Sequence, residues 1–491
     1  MAAVRCCSWA GVERAAPSRI ERYLSRSGQI SAAITWGLRL QLSARRLQLI
    51  TTFNNRSALA GPHTGPHVKH LAAGKEFEIP VALNMPEDVP KRFQQGLPLQ
   101  GIRVIDVASF LAAPMAAMFL ADFGADVIKV ERPDTGDEFR LWGHNKKGVG
   151  LYYKVVNRNK RSVTADLRTP LGVEIVKRLV RTADVLVENF RPGTLERWGL
   201  GWDVLSAVNP KLIMLRITGF GQTGPYAARP GFGTLAEAFS GFAYVNGFAD
   251  RPPLLPSFGL ADSTAGLMGA YLVMVALRGR DVNNGRGQYI DLALYEPLFT
   301  LVGPHVVDFD QLGRIHERAG NVPSYTAPRN CYRTKDGQYV VIVGASQSTF
   351  RRMCDALEMP EVASDPRFTG NRDRLANNDA LDRHLSAGVA RFTLDELLAR
   401  FDECEAAAVP VHNVEQIFDD THIAARENIV AVHDEELGGP VRFQNVAGKL
   451  SATPGRVKYA APPVGSSNRA ILVDELGFNE EELDQMKLRD G

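Results

Sequence analysis

Long hydrophobic runs are missing from this chain of 491 residues; the longest, Ala265–Leu277, covers 13. A membrane helix needs about 20 apolar residues, so no membrane partner is expected. Cysteine is scarce. The five present, Cys6, Cys7, Cys331, Cys354 and Cys404, are odd in number and form no C-x-x-C pair. That excludes a disulfide scaffold, argues against a metal centre and fits a reducing compartment. Cys354 and Cys404 fall in helix-like segments, as packing or surface residues. Also missing are G-x-x-x-x-G-K-[ST], G-x-S-x-G and H-E-x-x-H. Phosphoryl transfer and zinc hydrolysis thereby lose their usual signatures.

Acidic residues are short at one end only. Residues 1–75 hold nine Arg and two Lys against Glu13 and Glu21, a net +9; the whole chain is +2, so the remainder is −7. A mildly acidic body gives no reason to expect nucleic acid. The Arg- and Ser-rich leader resembles an organelle transit peptide, which would place the protein in the mitochondrial matrix. It reads equally as a disordered or over-extended start on a cytoplasmic protein. Met85 is the next methionine, and globular patterning begins near Pro98. Residues 1–96 are set aside on either reading, and His63, His67 and His70 with them as loop residues rather than ligands.

The rest is ordinary in composition, with 45% apolar and 23% charged residues overall. Its length suits two or three domains of about 100–200 residues each. Ile102–Val107 reads as a buried strand, Ala112–Phe123 as a helix with Pro114 in its first turn, and Asp126–Glu131 as the next strand. Strand, helix, strand within about 30 residues is a βαβ unit with parallel strands. The alternation continues with a helix at Leu171–Thr182, a strand at Asp184–Glu188, a helix at Trp202–Val208 and a strand at Leu212–Thr218. The fold class is α/β with an open, mostly parallel, Rossmann-like sheet. Glu131 stands about where a ribose-reading acid would in a dehydrogenase. The turn Ser109–Pro114, however, lacks G-x-G-x-x-G, and no other Gly-rich segment both follows a strand and opens a helix in that register.

Five segments, taken in order, resemble the family III CoA-transferases of the formyl-CoA and carnitine CoA-transferase type. They are Gly101–Asp106 with Ala125–Pro133; Val156–Ser162 with Asp166-Leu167; Ala183–Gly193 with Leu195 and Gly199; Ile217–Tyr226; and Ser240-Gly241 with Leu260-Ala-Asp262, Gly266 and Gly285–Gln288. The match runs from about residue 97 to about residue 475. It implies a large CoA-binding domain over 97–310, a smaller α/β domain over 325–412, and a return to the large domain over 413–491. The hairpin signal around Lys335-Asp-Gly337 and the helical stretches Ser348–Leu357 and Thr393–Phe401 suit that smaller domain. The resemblance also implies an interlocked, ring-like homodimer.

On its own, Asp262 before an apolar helix reads as an N-cap. A carboxylate there is also held ionised by the helix dipole, as a nucleophile must be. The resemblance makes Asp262 the nucleophile that carries the acyl group and then CoA, through an aspartyl anhydride and an aspartyl-CoA thioester. It places CoA against Arg132, Leu167, Arg168, Asn189, Phe190 and Arg197. Coenzyme A or acyl-CoA enters as substrate, with no permanently bound cofactor and no metal. Lys160 and Arg161 read ambiguously, as a basic strand edge. Ala319–Pro323 and Val343–Ser346 are candidate glycine loops for an oxyanion. Racemases of the superfamily carry a His-Asp pair where this chain has Phe232-Gly233, and neither residue can move a proton. Leu111 stands where formyl-CoA transferases have glutamine, so formyl or oxalyl specificity is not implied. Arg229 and Arg251 are candidates to pair with the second carboxylate of a dicarboxylic acceptor such as succinate, malate, citramalate or oxalate. A catalytically silent CoA-binding homologue and a dehydrogenase are the alternatives.

Overall fold

The computed structural model describes residues 96–283, 285–479, 481 and 482. The basic leader, with Cys6, Cys7 and its three histidines, lies outside them. Six strands pair in parallel: β1 (Arg103–Asp106), β2 (Asp126–Glu131), β3 (Lys160–Thr164), β4 (Val185–Glu188), β5 (Ile213–Thr218) and β6 (Tyr289–Ala293), in the order β3-β2-β1-β4-β5-β6. Both faces are covered, so the strands read as near-continuous apolar runs. Alternation still sorts the side chains. Val104, Val185, Val187, Ile213 and Leu215 pack on one face with α1 (Ala112–Asp122). Ile105, Leu186 and Met214 pack on the other with α3 (Pro170–Arg181); between them in sequence, α2 (Leu151–Val156) precedes β3. Strand order reverses between β1 and β4. Open α/β sheets bind ligands at such a switch, beyond the carboxyl ends of the strands.

Two strands escape the sequence reading. β3 begins with two cations, and β6 carries Asp291 at its centre. Neither looks like a buried run, yet Lys160 is fully buried because Asp106 and two further acceptors meet it.

Two further helices set up the cavity, α4 (Gly233–Phe239) and α5 (Leu260–Val282). α5 is 23 residues long and contains an 18-residue stretch of mean hydropathy 1.5, long and apolar enough by those measures to cross a membrane, unlike the 13-residue run read from sequence. One side of it is a packing face. Gly266 brings it close to α1 and Gly269 close to β5, where added Cβ atoms would meet Ala112 O at 2.8 Å and Leu215 Cδ2 at 3.0 Å respectively. Small residues on both helices allow that approach, and it carries the first turn of α5 over the β1–α1 turn.

Residues 329–410 build a separate antiparallel sheet, β7 (Arg329–Arg333), β8 (Tyr339–Val343) and β9 (Ala408–Pro410), in the order β9-β8-β7. Its own core holds Ile342, Phe350, Cys354, Leu385 and Phe401. A hairpin follows, β10 (Ile429–Asp434) and β11 (Gly439–Gln444). Arg469–Glu475 then forms a π-helix whose Ile471 and Leu472 join the core beneath α3.

Candidate active site

A cavity of about 480 Å³ opens at the carboxyl ends of β1 to β5. Its walls include Val107–Ala112 after β1, Arg132 after β2, Ala165–Arg168 after β3, Asn189–Pro192 after β4, and Thr218-Gly219 after β5. Arg229–Phe232 and Asp262 also line it.

A buried charge network fixes the floor. Asp106 on β1 stands in register beside Lys129 on β2, and Asp106 Oδ2 accepts from Lys160 Nζ at 2.9 Å. Lys129 Nζ donates to Ala108 O and lies 3.0 Å from Asp137 Oδ2. Asp137 Oδ1 accepts from Phe110 N at 3.1 Å and so holds that residue at φ 65°, a left-handed conformation uncommon outside glycine. Asn189 grips the same turn, accepting from Ser109 N at 2.9 Å and donating to Ser109 O at 2.6 Å. The Asn189 amide therefore positions the turn, and its hydrogen-bonding atoms are already engaged there.

Glu131 is likewise committed. It accepts two bonds from Arg140, at 2.7 Å each, and one from Ser162 Oγ at 2.6 Å. Burial alone would raise its pKa, but Arg140, Lys129 and Ser162 bring it down to about 2. An acid spent this way is not free to read a ribose. Gly219–Gly224 does have the G-x-G-x-x-G spacing, and it follows β5. It opens no helix, however; the next one begins at Gly233, and Gly219 packs backbone to backbone on Gly231.

Asp262 is not an N-cap. Gly259 holds that position, and Asp262 lies in the first turn of α5, facing the cavity. Among the described residues its carboxylate has neither a cation nor a hydrogen-bond donor. Burial, with Glu237 on α4 adding to it, pushes its pKa up to about 6. The first-turn position favours the charged form and desolvation opposes it. Asp262 is still mostly ionised at neutral pH, and it is a more basic carboxylate than an exposed one. Two glycines make room for it. An added Cβ at Gly233 would fall inside contact distance of Asp262 Oδ2, and one at Gly259 would lie 3.3 Å from the same atom. We therefore expect Gly233→Ala to leave the melting temperature nearly unchanged, since only the Asp262 carboxylate must shift. If that carboxylate is the reacting group, the shift should lower kcat by about 10²-fold, the usual effect of misplacing a reacting atom by about 1 Å. Unchanged turnover would show that the carboxylate need not occupy this position.

Of the residues read from sequence, Arg132, Leu167, Arg168, Asn189, Phe190, Arg229 and Asp262 converge on this cavity. Arg132 and Arg168 are exposed and each clasps a nearby acid, Asp134 at 2.6 Å and Asp166 at 2.8 Å. Phe190 is braced edge-on by Trp198, with ring centroids 5.1 Å apart. Arg229 stacks on Tyr226, 3.7 Å from the ring centroid. Arg197 does not line the cavity and donates to Thr194 Oγ1 instead. Arg251 is exposed beside Asp250, also outside the lining. Neither Ala319–Pro323 nor Val343–Ser346 lines it. The sequence reading missed Arg191 and Trp198 as cavity residues, and Gly233 as the close neighbour of the Asp262 carboxylate; Arg191 stands inside the quoted Asn-Phe-Arg-Pro-Gly segment. It also missed Asp137 and Glu237, single acids without a recognisable motif.

Comparisons with known proteins agree with this architecture. Residues 99–468 match the model of CoA-transferase family III. A succinyl-CoA–D-citramalate CoA-transferase of Chloroflexus aurantiacus is 43% identical over 80% of this chain and 97% of its own length. A succinate–glutarate CoA-transferase of Agrobacterium fabrum is 36% identical over 79% of this chain and 97% of its own. Among solved structures, a CAIB/BAIF family protein from Brucella suis superposes with a TM-score of 0.69 at 34% identity, covering 77% of this chain and 100% of that one. The chain belongs to CoA-transferase family III, and it is a CoA-transferase.

Proposed function

We propose that the protein moves CoA reversibly from succinyl-CoA or a similar acyl-CoA to a free dicarboxylate, with Asp262 as nucleophile. The observation that carries this reading is the Asp262 carboxylate, half-buried with no cation or donor among the described residues and open to the cavity at the sheet's carboxyl edge. A carboxylate oxygen attacks the thioester carbonyl, the C–S bond breaks, and CoA thiolate leaves behind a mixed anhydride. The thiolate attacks the aspartyl carbonyl, releasing the donor acid and forming an aspartyl-CoA thioester. The acceptor carboxylate attacks that carbonyl and expels the thiolate again. The thiolate then takes the acceptor's acyl carbon and restores Asp262. Each step exchanges one carboxyl derivative for another, so ATP is not consumed. CoA thioesters are substrates here, and no step uses a resident cofactor.

The relatives named above act, by their names, on succinyl-CoA with citramalate and on succinate with glutarate. Arg229 lines the cavity with no carboxylate partner among the described residues, which suits an acceptor's second carboxylate. We expect Arg229→Ala to raise KM for dicarboxylate acceptors about 10–100-fold, the loss of one charge-assisted hydrogen bond. Monocarboxylate acceptors should be unaffected; equal effects on both classes would remove the assignment.

We also propose a homodimer. Leu267, Tyr271 and Val275 on α5 are exposed, and the helix His305–Leu312 buries none of its residues while presenting Val307, Phe309 and Leu312. So much apolar surface suits a partner subunit, and a monomer by light scattering at micromolar concentration would oppose it. The decisive test of mechanism is intact mass after incubation with succinyl-CoA and trapping with hydroxylamine or borohydride. A modification mapped to Asp262, absent from Asp262→Ala, supports the reading. Tight CoA binding without any adduct favours a silent binding protein.

A further inference from the structure

Glu237 is buried on α4, with 2% of its surface exposed, and Ala261 N donates to its Oε1 at 3.3 Å. Ala261 immediately precedes Asp262, so α4 presents a carboxylate to the turn that carries the nucleophile. No cation meets Glu237 among the described residues. A buried acid used only as a helix anchor would be an expensive choice, because an amide would accept the same bond without the desolvation of a charge.

We infer that Glu237 is a positioning residue that fixes the first turn of α5 and sets its own carboxylate beside that of Asp262. This rests on Asp262 being the nucleophile. The chemistry follows from leaving-group order. In the mixed anhydride the returning thiolate can attack either carbonyl, expelling the donor acid from one or Asp262 from the other. A more basic Asp262 carboxylate leaves less readily, so attack at the aspartyl carbonyl is favoured. That attack leads forward to the aspartyl-CoA thioester. The same basicity makes Asp262 a better attacking group on the donor thioester.

The surroundings isolate this effect. Tyr152 on α2 faces Asp262, whose charge, after burial, helps hold the phenol's pKa up. α1 and the β1–α1 turn offer Leu111, Ala112 and Met115, none of them charged. Arg132, Arg168, Arg191 and Arg229, with Glu131, Asp137, Glu138 and Asp166, line the same cavity, but burial and Glu237 are the causes that move Asp262.

The test is the pH dependence of kcat/KM in Glu237→Gln, Glu237→Asp and the wild type, with the Asp262 adduct measured in each. Glutamine keeps an acceptor for Ala261 N and removes the charge. In Glu237→Gln the acid limb should move down by about half to one pH unit, with kcat at pH 7.5 falling about 3–10-fold, as Brønsted behaviour predicts for a less basic nucleophile. Glu237→Asp keeps the charge and should retain most of the wild-type acid limb. If Glu237→Gln proves insoluble, carbodiimide labelling of Asp262 in the wild type and in Glu237→Ala supplies the reading. A labelling midpoint that falls by about half to one pH unit in Glu237→Ala agrees with the inference, and one that stays at the wild-type value overturns it. An acid limb and kcat unchanged in Glu237→Gln overturn it too, leaving Glu237 as a helix anchor. Failure of the nucleophile assignment is a separate result, since the wild type itself would then show no adduct on Asp262.

Discussion

Asp262→Asn is expected to abolish CoA transfer and to stabilise the fold in the same experiment. Under the proposed mechanism the amide cannot form the anhydride, so kcat should fall at least about 10³-fold, as for other nucleophile removals. The stability gain follows from linkage. The folded pKa of Asp262 lies near 6, against 3.8 for an unperturbed aspartate. Well below pH 3.8 both states hold the proton and the group is neutral in its effect. Between 3.8 and about 6 the folded chain keeps a proton that the unfolded chain releases, so stability falls as pH rises. Above about 6 the full penalty applies, about 3 kcal/mol for a shift of about two units. Asparagine carries no charge to desolvate. Urea unfolding at pH 8 should therefore show the variant more stable by about 2–3 kcal/mol, a gain that shrinks by about half at pH 5. A variant that loses transfer but gains no stability at pH 8 would mean that Asp262 has a compensating partner. One that keeps transfer would end its assignment as nucleophile.

The site was readable from sequence where its residues sit in segments whose order and spacing are distinctive, and much less so elsewhere. Asp262 and the residues after β2, β3 and β4 come from such segments, and seven of the nine named residues do meet in one cavity. Their tasks were less legible. Asn189 stands at the predicted place, yet its amide is occupied by Ser109, a contact 80 residues away that no local pattern encodes. Arg251 lies 11 residues before Asp262 in sequence and still projects into solvent. Glu237 gave no signal because one acid in a short helix looks like a surface charge until the helix is seen packed on α5. Fold legibility follows the same division. β1, β2, β4 and β5 are apolar runs and were found within a residue or two. β3 was hidden by two leading cations, of which Lys160 is buried through an aspartate more than 50 residues away.

Lys160→Met measures what that hidden strand contributes. Lys160 Nζ is fully buried and uses all three donors, on Asp106 Oδ2 at 2.9 Å, Pro114 O at 2.7 Å and Asn157 Oδ1 at 2.7 Å. Burial pulls its pKa down to about 8 against the pull of Asp106, so it remains charged at pH 7. Methionine is similar in length and apolar, and it creates no large cavity. It leaves a buried carboxylate with Lys129 as its remaining cation, 3.7 Å away, and strips two further acceptors of their donor. Breaking a buried pair from one side costs about 3–5 kcal/mol, and a loss in unfolding free energy of that size is expected at pH 7. The loss should reach the site, because Asp106 and Lys129 also hold Ala108 in the turn that floors the cavity. CoA affinity should therefore fall even under conditions where the variant remains folded. Arg168→Ala supplies the contrast. Its pair with Asp166 is solvent-exposed, and removing an exposed pair changes stability by less than about 1 kcal/mol. If the two variants unfolded at the same urea concentration, the buried network would be no more than a tolerated set of charges. A large loss confined to Lys160→Met would instead tie the geometry of the β1–α1 turn to the ion pairs beneath it, since the turn's own sequence, Val107–Leu111, has no glycine or proline to impose that geometry.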